Sequence, residues 1–294
     1  MRPAIAVTAA MAAVLSLTCA TVVRASTPVG VSDDGAMLAP GGVDWAATHG
    51  FRTVRFQPHA DDLARYDEAV ARAQQLGLQV IVSPLGGADA AVEAAAGAAA
   101  RWHGLTAVSA PNEPEIHGYD PCAYGRLYRR LRQRLPAGVP VLFGEFSPHG
   151  AWTYLKAISR CPAARTFRPR HLSFHPYQWA TDPLSPKQLD SQDGHGDWLG
   201  IGRLPRVKRW LARRAVLRRF GLARPPALWI TEFGYLNDVA TEDQVGRWWP
   251  RAIVQARRLQ ARVIVAQGAV TAGPGRRWDS SLPHGLVRTL TADP

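Results

Sequence analysis

Leu228-Trp229-Ile230-Thr231-Glu232-Phe233-Gly234-Tyr235 and Val108-Ser109-Ala110-Pro111-Asn112-Glu113-Pro114 are built alike. Each is an apolar, β-branched run that ends on a glutamate, then a turn, then a helical pattern. Such runs read as strands buried on both faces, the kind found in parallel sheets. Working outward, the same pattern recurs along the chain. Strands are predicted at Pro28–Val31, Arg52–Phe56, Leu78–Val82, Thr106–Ala110, Val139–Phe143, His171–His175, Ala227–Thr231 and Arg262–Ala266. Helices are predicted between them at Ala60–Leu76, Ala88–Trp102, Cys122–Leu135, Trp152–Arg160, Pro205–Gly221 and Thr241–Leu259. In the first of these, Leu63, Ala64, Ala69, Val70, Ala73 and Leu76 form one stripe, and Gly77 stops the helix. Ala88–Trp102 is almost pure alanine, so propensity is expected to support it more than burial does.

Eight strand-helix steps predict an α/β fold, a single-domain (β/α)8 TIM barrel. An open doubly wound sheet is the alternative, but it usually carries a Gly-rich phosphate loop after its first strand. Ser32-Asp33-Asp34-Gly35 is no such loop. The wide gap between the sixth and seventh strands, Gln178 to Leu204, reads as an insertion over the C-terminal face of the barrel.

The first 25 residues stand apart. A basic Met1-Arg2 start, an apolar Ala4–Val14 core and a small-x-small site at Val23-Arg24-Ala25 form a secretory signal pattern. The domain is then 26–294, a secreted chain in the extracellular space or at the cell wall, without stable membrane insertion once cleaved. A monomer is expected. Net charge is +12, and only Lys156, Lys187 and Lys208 of the 35 basic residues are lysine. Genome composition explains such an arginine bias as readily as a partner does. The dense stretch Arg203 to Arg224 reads as the solvated face of one helix or as a patch for an anionic polysaccharide. No nucleic-acid motif accompanies it, so no nucleic-acid partner is implied. Cys122 and Cys161 could pair in an oxidising compartment. One begins a helix and the other ends the next, which in an alternating barrel sets them toward opposite ends, while a bridge needs Cα atoms within about 7 Å; the sequence leaves the pairing open.

Polar residues collect where the predicted strands end. Arg55 closes the second, Asn112 and Glu113 follow the fourth, and Glu145 follows the fifth. His175 and Tyr177 close the sixth, Glu232 the seventh and Gln267 the eighth. In a barrel these ends converge on one mouth. Two carboxylates so presented can cleave a glycosidic bond, one protonating the leaving oxygen and the other attacking or activating water. Glu145, in Leu142-Phe143-Gly144-Glu145-Phe146, is a rival to Glu232, and the residues alone do not choose between them. Pro114 is expected to hold Glu113 in extended geometry. His171 and His175, four apart on a strand and so ~13 Å apart, cannot share a metal. H-E-x-x-H, G-x-S-x-G and Walker patterns are absent from the sequence.

These motifs together resemble the clan A glycoside hydrolases, retaining (β/α)8 enzymes, in particular cellulase-like and xylosidase-like proteins of secreted actinobacterial type. The resemblance rests on Asn112-Glu113-Pro114 after strand four and Thr231-Glu232-Phe233-Gly234 at strand seven. Arg55 in Thr53-Val54-Arg55-Phe56 and His175-Pro176-Tyr177 fill two further slots. It implies Glu113 as acid/base and Glu232 as nucleophile, with carboxyls about 5 to 5.5 Å apart. It implies a carbohydrate substrate, no metal or other cofactor, and substrate-binding roles for Arg55, Asn112, His175 and Tyr177. Glu145 is then substrate-binding or the partner of an arginine or histidine. Ala266-Gln267-Gly268 departs from the tryptophan many members place after strand eight. Trp278 or Gln267 would serve the sugar instead, and Trp152, Trp179 and Trp198 are further stacking candidates. The alternative is a non-catalytic carbohydrate-binding or wall-associated protein on the same barrel.

Overall fold

The computed structural model describes residues 27–178, 182–184, 197–235 and 240–267. The proposed signal segment and Trp179 and Trp278 lie outside them. The strands are β1 (Val29–Ser32), β2 (Thr53–Phe56), β3 (Gln79–Val82), β4 (Ala107–Ser109), β5 (Val141–Phe146), β6 (His171–Phe174), β7 (Ala227–Phe233) and β8 (Ile264–Gln267). They close in chain order into one barrel, with every neighbouring pair parallel. This is the expected (β/α)8 TIM barrel, and all eight predicted strands are present within a few residues.

The return helices are α1 (Asp34–Met37), α2 (Gly42–Thr48), α3 (Asp67–Gln75), α4 (Ala88–Arg101), α5 (Pro121–Arg134), α6 (Ala151–Ile158), α7 (Ala164–Phe167), α8 (Leu204–Leu211), α9 (Arg214–Arg219) and α10 (Glu242–Leu259). α3 is preceded by a 3-10 turn at Leu63–Tyr66 and stopped near Gly77, whose φ of 71° suits glycine. α10 starts with a capping box, Thr241 against Gln244. No helix among the described residues is long and apolar enough to cross a membrane.

Two apolar clusters hold the barrel. The larger lies between sheet and helices; the smaller, Ile81, Ala107, Leu142, Trp229, Val263 and Val265, fills the barrel itself. Fully burying one such aliphatic side chain contributes about 1.5–3 kcal/mol.

Two sequence expectations need correction, and one open pairing is decided. In α4, Ala91, Ala94, Ala95 and Ala98 are all buried, with Val92 beside them. The alanines are a packing face, and a Cβ at Gly97 would lie 2.7 Å from Leu63 Cδ1. The basic segment is two helices, because Arg213 takes an extended backbone (ψ 130°) between α8 and α9. Finally, Cys122 and Cys161 are bonded, with Cα atoms 5.5 Å apart. The two cysteines would lie at opposite ends only if α6 ran the full height of the barrel. α6 has 8 residues and α5 has 14, so at 1.5 Å per residue α6 covers only about half of its neighbour. The chain then turns at Cys161, and α7 covers the rest of α5. Phe167 sits against Gly125, and Arg132 donates to the Phe167 carbonyl at 2.8 Å. A cross-link over 39 residues typically contributes ~2–4 kcal/mol.

Candidate active site

Side chains on a strand alternate, so the position two beyond each inward apolar residue also faces inward, one layer higher. Reading up from the inner cluster, Ile81 leads to Ser83, Ala107 to Ser109 and Trp229 to Thr231. In the same way Gly30 leads to Ser32 and Thr53 to Arg55. An apolar plug is thus capped by a layer of hydroxyls around one guanidinium. Arg55 Nη1 donates to Ser32 Oγ at 3.1 Å and Arg55 Nε to Ser83 Oγ at 2.7 Å. Ser173 and Thr231 bond each other at 2.5 Å.

Two breaks in register lift carboxylates out of this layer. β5 shifts against β6 between Gly144 and Phe146, and β7 shifts against β8 between Ile230 and Phe233. Bulges of this kind re-aim a side chain. The first carries Glu145 and the second Glu232.

Glu145 is fully buried and its φ is 65°. Its Oε1 accepts from Ser83 (2.6 Å) and Arg55 Nε (3.1 Å); its Oε2 accepts from Arg55 Nη2 and from Ser109 (both 3.0 Å). Burial pushes the carboxyl up, but Arg55, His175 and Ser83 outweigh this and hold it below its ordinary value. With both oxygens occupied and none of its surface open, Glu145 has no means of touching a substrate. Arg55 is equally sealed. Burial would lower its pKa, and Glu145 and Glu232 instead keep it above the ordinary value. Substrate-contact roles for these two residues do not fit their burial. They form the floor, Glu145 as the partner of an arginine.

Glu232 sits above, its side chain 9% exposed. Arg55 Nη1 lies 2.8 Å from its Oε1, and the Tyr177 hydroxyl donates to its Oε2 at 2.5 Å. Tyr177 is placed by the tight turn His175-Pro176-Tyr177, and Trp198 Nε1 donates to the Tyr177 carbonyl at 2.9 Å. Glu113 faces Glu232 with its side chain 20% exposed. His175, buried, joins them: its Nδ1 is 3.2 Å from Glu113 Oε1 and 3.5 Å from Glu232 Oε2, and its Nε2 is 3.1 Å from Thr231 Oγ1. Burial would lower the His175 pKa, but Glu232, Glu113 and Glu145 together raise it. Asn112, half-buried, accepts from Arg55 Nη2 through its Oδ1 at 3.4 Å.

The expected extended backbone at Glu113 is not what the turn adopts. Its φ is 43°. Its N–H donates to the Glu145 carbonyl at 3.1 Å, and its own carbonyl accepts from Ile116 and His117 at 3.0 and 3.1 Å. These bonds wrap the chain tightly enough to override the preference imposed by Pro114. Glu113 and Glu145 are two of only four non-glycine residues with positive φ among the described residues. Such strain persists where surrounding structure over-determines it.

Of the other expected residues, Gln267 ends β8, half-buried, and pairs in register with Ser32. Trp152 packs on Trp210 with ring centroids 5.2 Å apart, away from the mouth, and Trp198 is buried as a support for Tyr177. The reading of the sequence missed the hydroxyl layer, whose signal was a Ser or Thr two places beyond Ile81, Ala107 and Trp229. It also missed Glu115, two residues past Glu113.

Both Glu115 oxygens are buried without a well-formed hydrogen bond. The nearest donor group, Ser147, already gives its hydroxyl to the His149 carbonyl at 3.0 Å and pulls only weakly. Burial first, then Glu113, push the Glu115 carboxyl from its ordinary 4.5 to about 8. A raised carboxyl pKa means the folded state keeps the proton longer than the unfolded chain. Stability is therefore lost as pH rises from the ordinary value through about 8. Glu115→Gln, which carries no charge, should escape this loss. Its melting temperature relative to the native chain should climb between pH 5 and 8 and level off above, by up to about 3–5 kcal/mol equivalent. A difference independent of pH would show that Glu115 does not titrate this way.

Among the described residues, Glu113, His175 and Glu232 are the one group with ligand atoms close enough to hold a metal ion, all within 4.8 Å. The guanidinium of Arg55, 2.8 Å from Glu232, already supplies a cation there. No protein-family model and no curated relative matches the sequence.

Solved structures do match. A family 39 glycoside hydrolase from the gut symbiont Bacteroides cellulosilyticus WH2 superposes with a TM-score of 0.61 at 14% identity over 86% of this chain. The chain spans 59% of that structure's length. Cellulose synthase subunit Z from Clostridioides difficile gives 0.55 at 14% identity, covering 90% of this chain and 99% of its own. The virulence factor SghA from Agrobacterium tumefaciens gives 0.52 at 13%, covering 83% and 88%. At such identities the likeness establishes a shared barrel fold.

Proposed function

We propose that the chain is a glycoside hydrolase that acts with retention of configuration, Glu113 serving as acid/base and Glu232 as nucleophile. One observation carries the reading. Two carboxylates from β4 and β7 face each other across the mouth with oxygens within 4.8 Å, whereas Glu145 is sealed below them. Retaining enzymes place their carboxyls about 5–5.5 Å apart, and inverting ones leave about 6.5–9.5 Å for a water.

The surroundings suit the two roles. Arg55 and Tyr177 bond one oxygen each of Glu232 and so aim it, which an attacking carboxylate needs. It attacks the anomeric carbon while Glu113 gives its proton to the leaving oxygen. Glu113 then takes a proton from the water that hydrolyses the glycosyl-enzyme. His175 bonds Glu113 and so fixes its approach, and the amide of Asn112, held by Arg55, suits the sugar 2-hydroxyl. The family 39 neighbour is itself named a glycoside hydrolase, and the N-terminal signal pattern supports secretion toward an extracellular polysaccharide. Hydrolysis of a panel of activated aryl glycosides, followed by proton NMR of the first-formed sugar, tests the reading. The first anomer should keep the configuration of the substrate. An inverted first anomer, or no turnover across the panel, would reject it.

A further inference from the structure

Charge is distributed unevenly around the barrel. On one flank, four exposed arginines are matched to acids: Arg72 with Asp44, Arg101 with Asp67, Arg130 with Asp89 and Arg134 with Glu93, while among the described residues Arg52, Arg65 and Arg126 stand singly between them. Among the described residues, the flank built by α6, α7 and α9 has no such partners. The stretches 146–181 and 198–231 contain no acidic residue, and the second alone carries nine lysines and arginines. There a cleft of about 630 Å³ opens, rimmed by Arg160, Arg165, Arg218 and Arg219. All four are exposed, and among the described residues none has a carboxylate partner.

The floor of the cleft is fixed. Cys161, which lines it, is tied to α5 by the disulfide. Beside it Gly221 (φ 64°) lies so close to Arg165 that an added Cβ would sit 2.2 Å from the Arg165 carbonyl oxygen. Val216 and Phe220 anchor α9 in the core, which turns Arg218 and Arg219 outward. Arginines in the last turn of a helix complement its dipole, and Arg165, Arg218 and Arg219 are so placed. That does not account for the convergence of all four on one cleft or for the absence of acids.

We infer that this cleft is an accessory binding site for a carboxylate-bearing polysaccharide, a polyuronate, separate from the catalytic mouth. Guanidinium forks match carboxylates bidentately, and four of them on a rigid floor can follow successive charges along a chain. Other polyanionic partners fit less well. Binding single-stranded nucleic acid uses aromatic platforms for the bases, and no aromatic residue lines the cleft. Stable membrane anchoring by a basic patch takes a second, apolar signal, and the exposed large apolar residues among the described residues, Leu76, Ile116 and Val254, are all elsewhere. The choice of a sugar polymer rests on the glycosidase reading; the site itself does not.

Binding of the full chain to polygalacturonate by affinity electrophoresis tests it. Uncharged dextran, single-stranded DNA and phosphatidylglycerol vesicles are compared in parallel. Native protein should bind polygalacturonate tightest, with affinity falling steeply between about 50 and 300 mM salt. R160Q/R165Q/R218Q/R219Q should lose at least ~10-fold, and each of the pairs R160Q/R165Q and R218Q/R219Q about threefold, with melting temperature unchanged. Hydrolysis of a small aryl glycoside should be the same in all variants. Unaltered binding in the quadruple variant overturns the site. Equal or tighter binding of DNA or vesicles overturns the assigned partner. Absence of aryl glycoside hydrolysis with intact, arginine-dependent binding would instead count against the glycosidase reading alone.

Discussion

Glu232→Gly should lower turnover of an activated aryl glycoside by at least ~10³-fold, and added azide should restore part of it. The loss follows from geometry. Glu232 is the carboxylate that faces Glu113 and is partly open to the mouth. Removing it leaves a space the size of a small anion, still lined by Arg55 Nη1 and the Tyr177 hydroxyl, which now hold 2.8 and 2.5 Å bonds to its oxygens. Azide would sit where the carboxylate sat and attack the same face of the sugar. The product, a glycosyl azide of inverted configuration, is readable by NMR. Glu113→Gln should behave differently. An aryl leaving group that needs little protonation should depart at nearly the native rate, so the glycosyl-enzyme should accumulate and a burst should appear. Glu145→Gln should show no rescue, because no anion can reach its position beneath Arg55. Azide rescue at 145 and none at 232 would reverse the assignment.

The barrel was legible because parallel strands buried on both faces cannot alternate polar and apolar residues. Eight apolar runs separated by helical patterns leave few arrangements, and the ends of those runs had to share one rim. The convergence of Arg55, Glu113, His175, Tyr177 and Glu232 followed from that alone. Depth was not legible. Glu145 and Glu232 both end apolar runs, and only the differing bulges decide that one is roofed over by Arg55 while the other stands clear. A bulge is a one-residue shift in pairing between strands distant in sequence, and neither Gly144 nor Thr231 announces it. The disulfide was hidden for a related reason. Helical periodicity places the end of α6 within two residues, at Arg160 against Ile158, but not the short α7 that completes the height of α5. The turn at Glu113 likewise depends on the Glu145 carbonyl, a contact between two strand ends. Local preference at Asn112-Glu113-Pro114 pointed the other way.

Arg55→Met should destabilise the protein by about 3–5 kcal/mol, the range for breaking one side of a buried ion pair. The methionine fills similar volume, so cavity formation contributes little. What remains is the Glu145 carboxylate, wholly shut off from water, held by the Ser83 and Ser109 hydroxyls at 2.6 and 3.0 Å with no guanidinium beside it. Two hydroxyls do not offset the desolvation of an anion. Arg55→Lys should recover only part of the loss. A single ammonium cannot span Glu145 on one side and Glu232 and Ser32 on the other, as the fork does. The pH dependence identifies the cause. In the native chain Glu145 is held below its ordinary value, so its contribution is present above that value and is lost as acid protonates the folded carboxyl. In Arg55→Met the remaining pull of His175, Ser83 and Ser109 no longer offsets burial, which raises Glu145, so the variant regains ground as pH falls. The gap between the two proteins, measured by chemical denaturation, should be widest near neutrality and narrow toward pH 4. Adding Glu145→Gln to Arg55→Met should close much of the gap at pH 7, since a neutral amide needs no counter-charge. If the double variant is no more stable than Arg55→Met, and the gap does not change with pH, then Arg55 matters for its packing and not for the charge buried beneath the site.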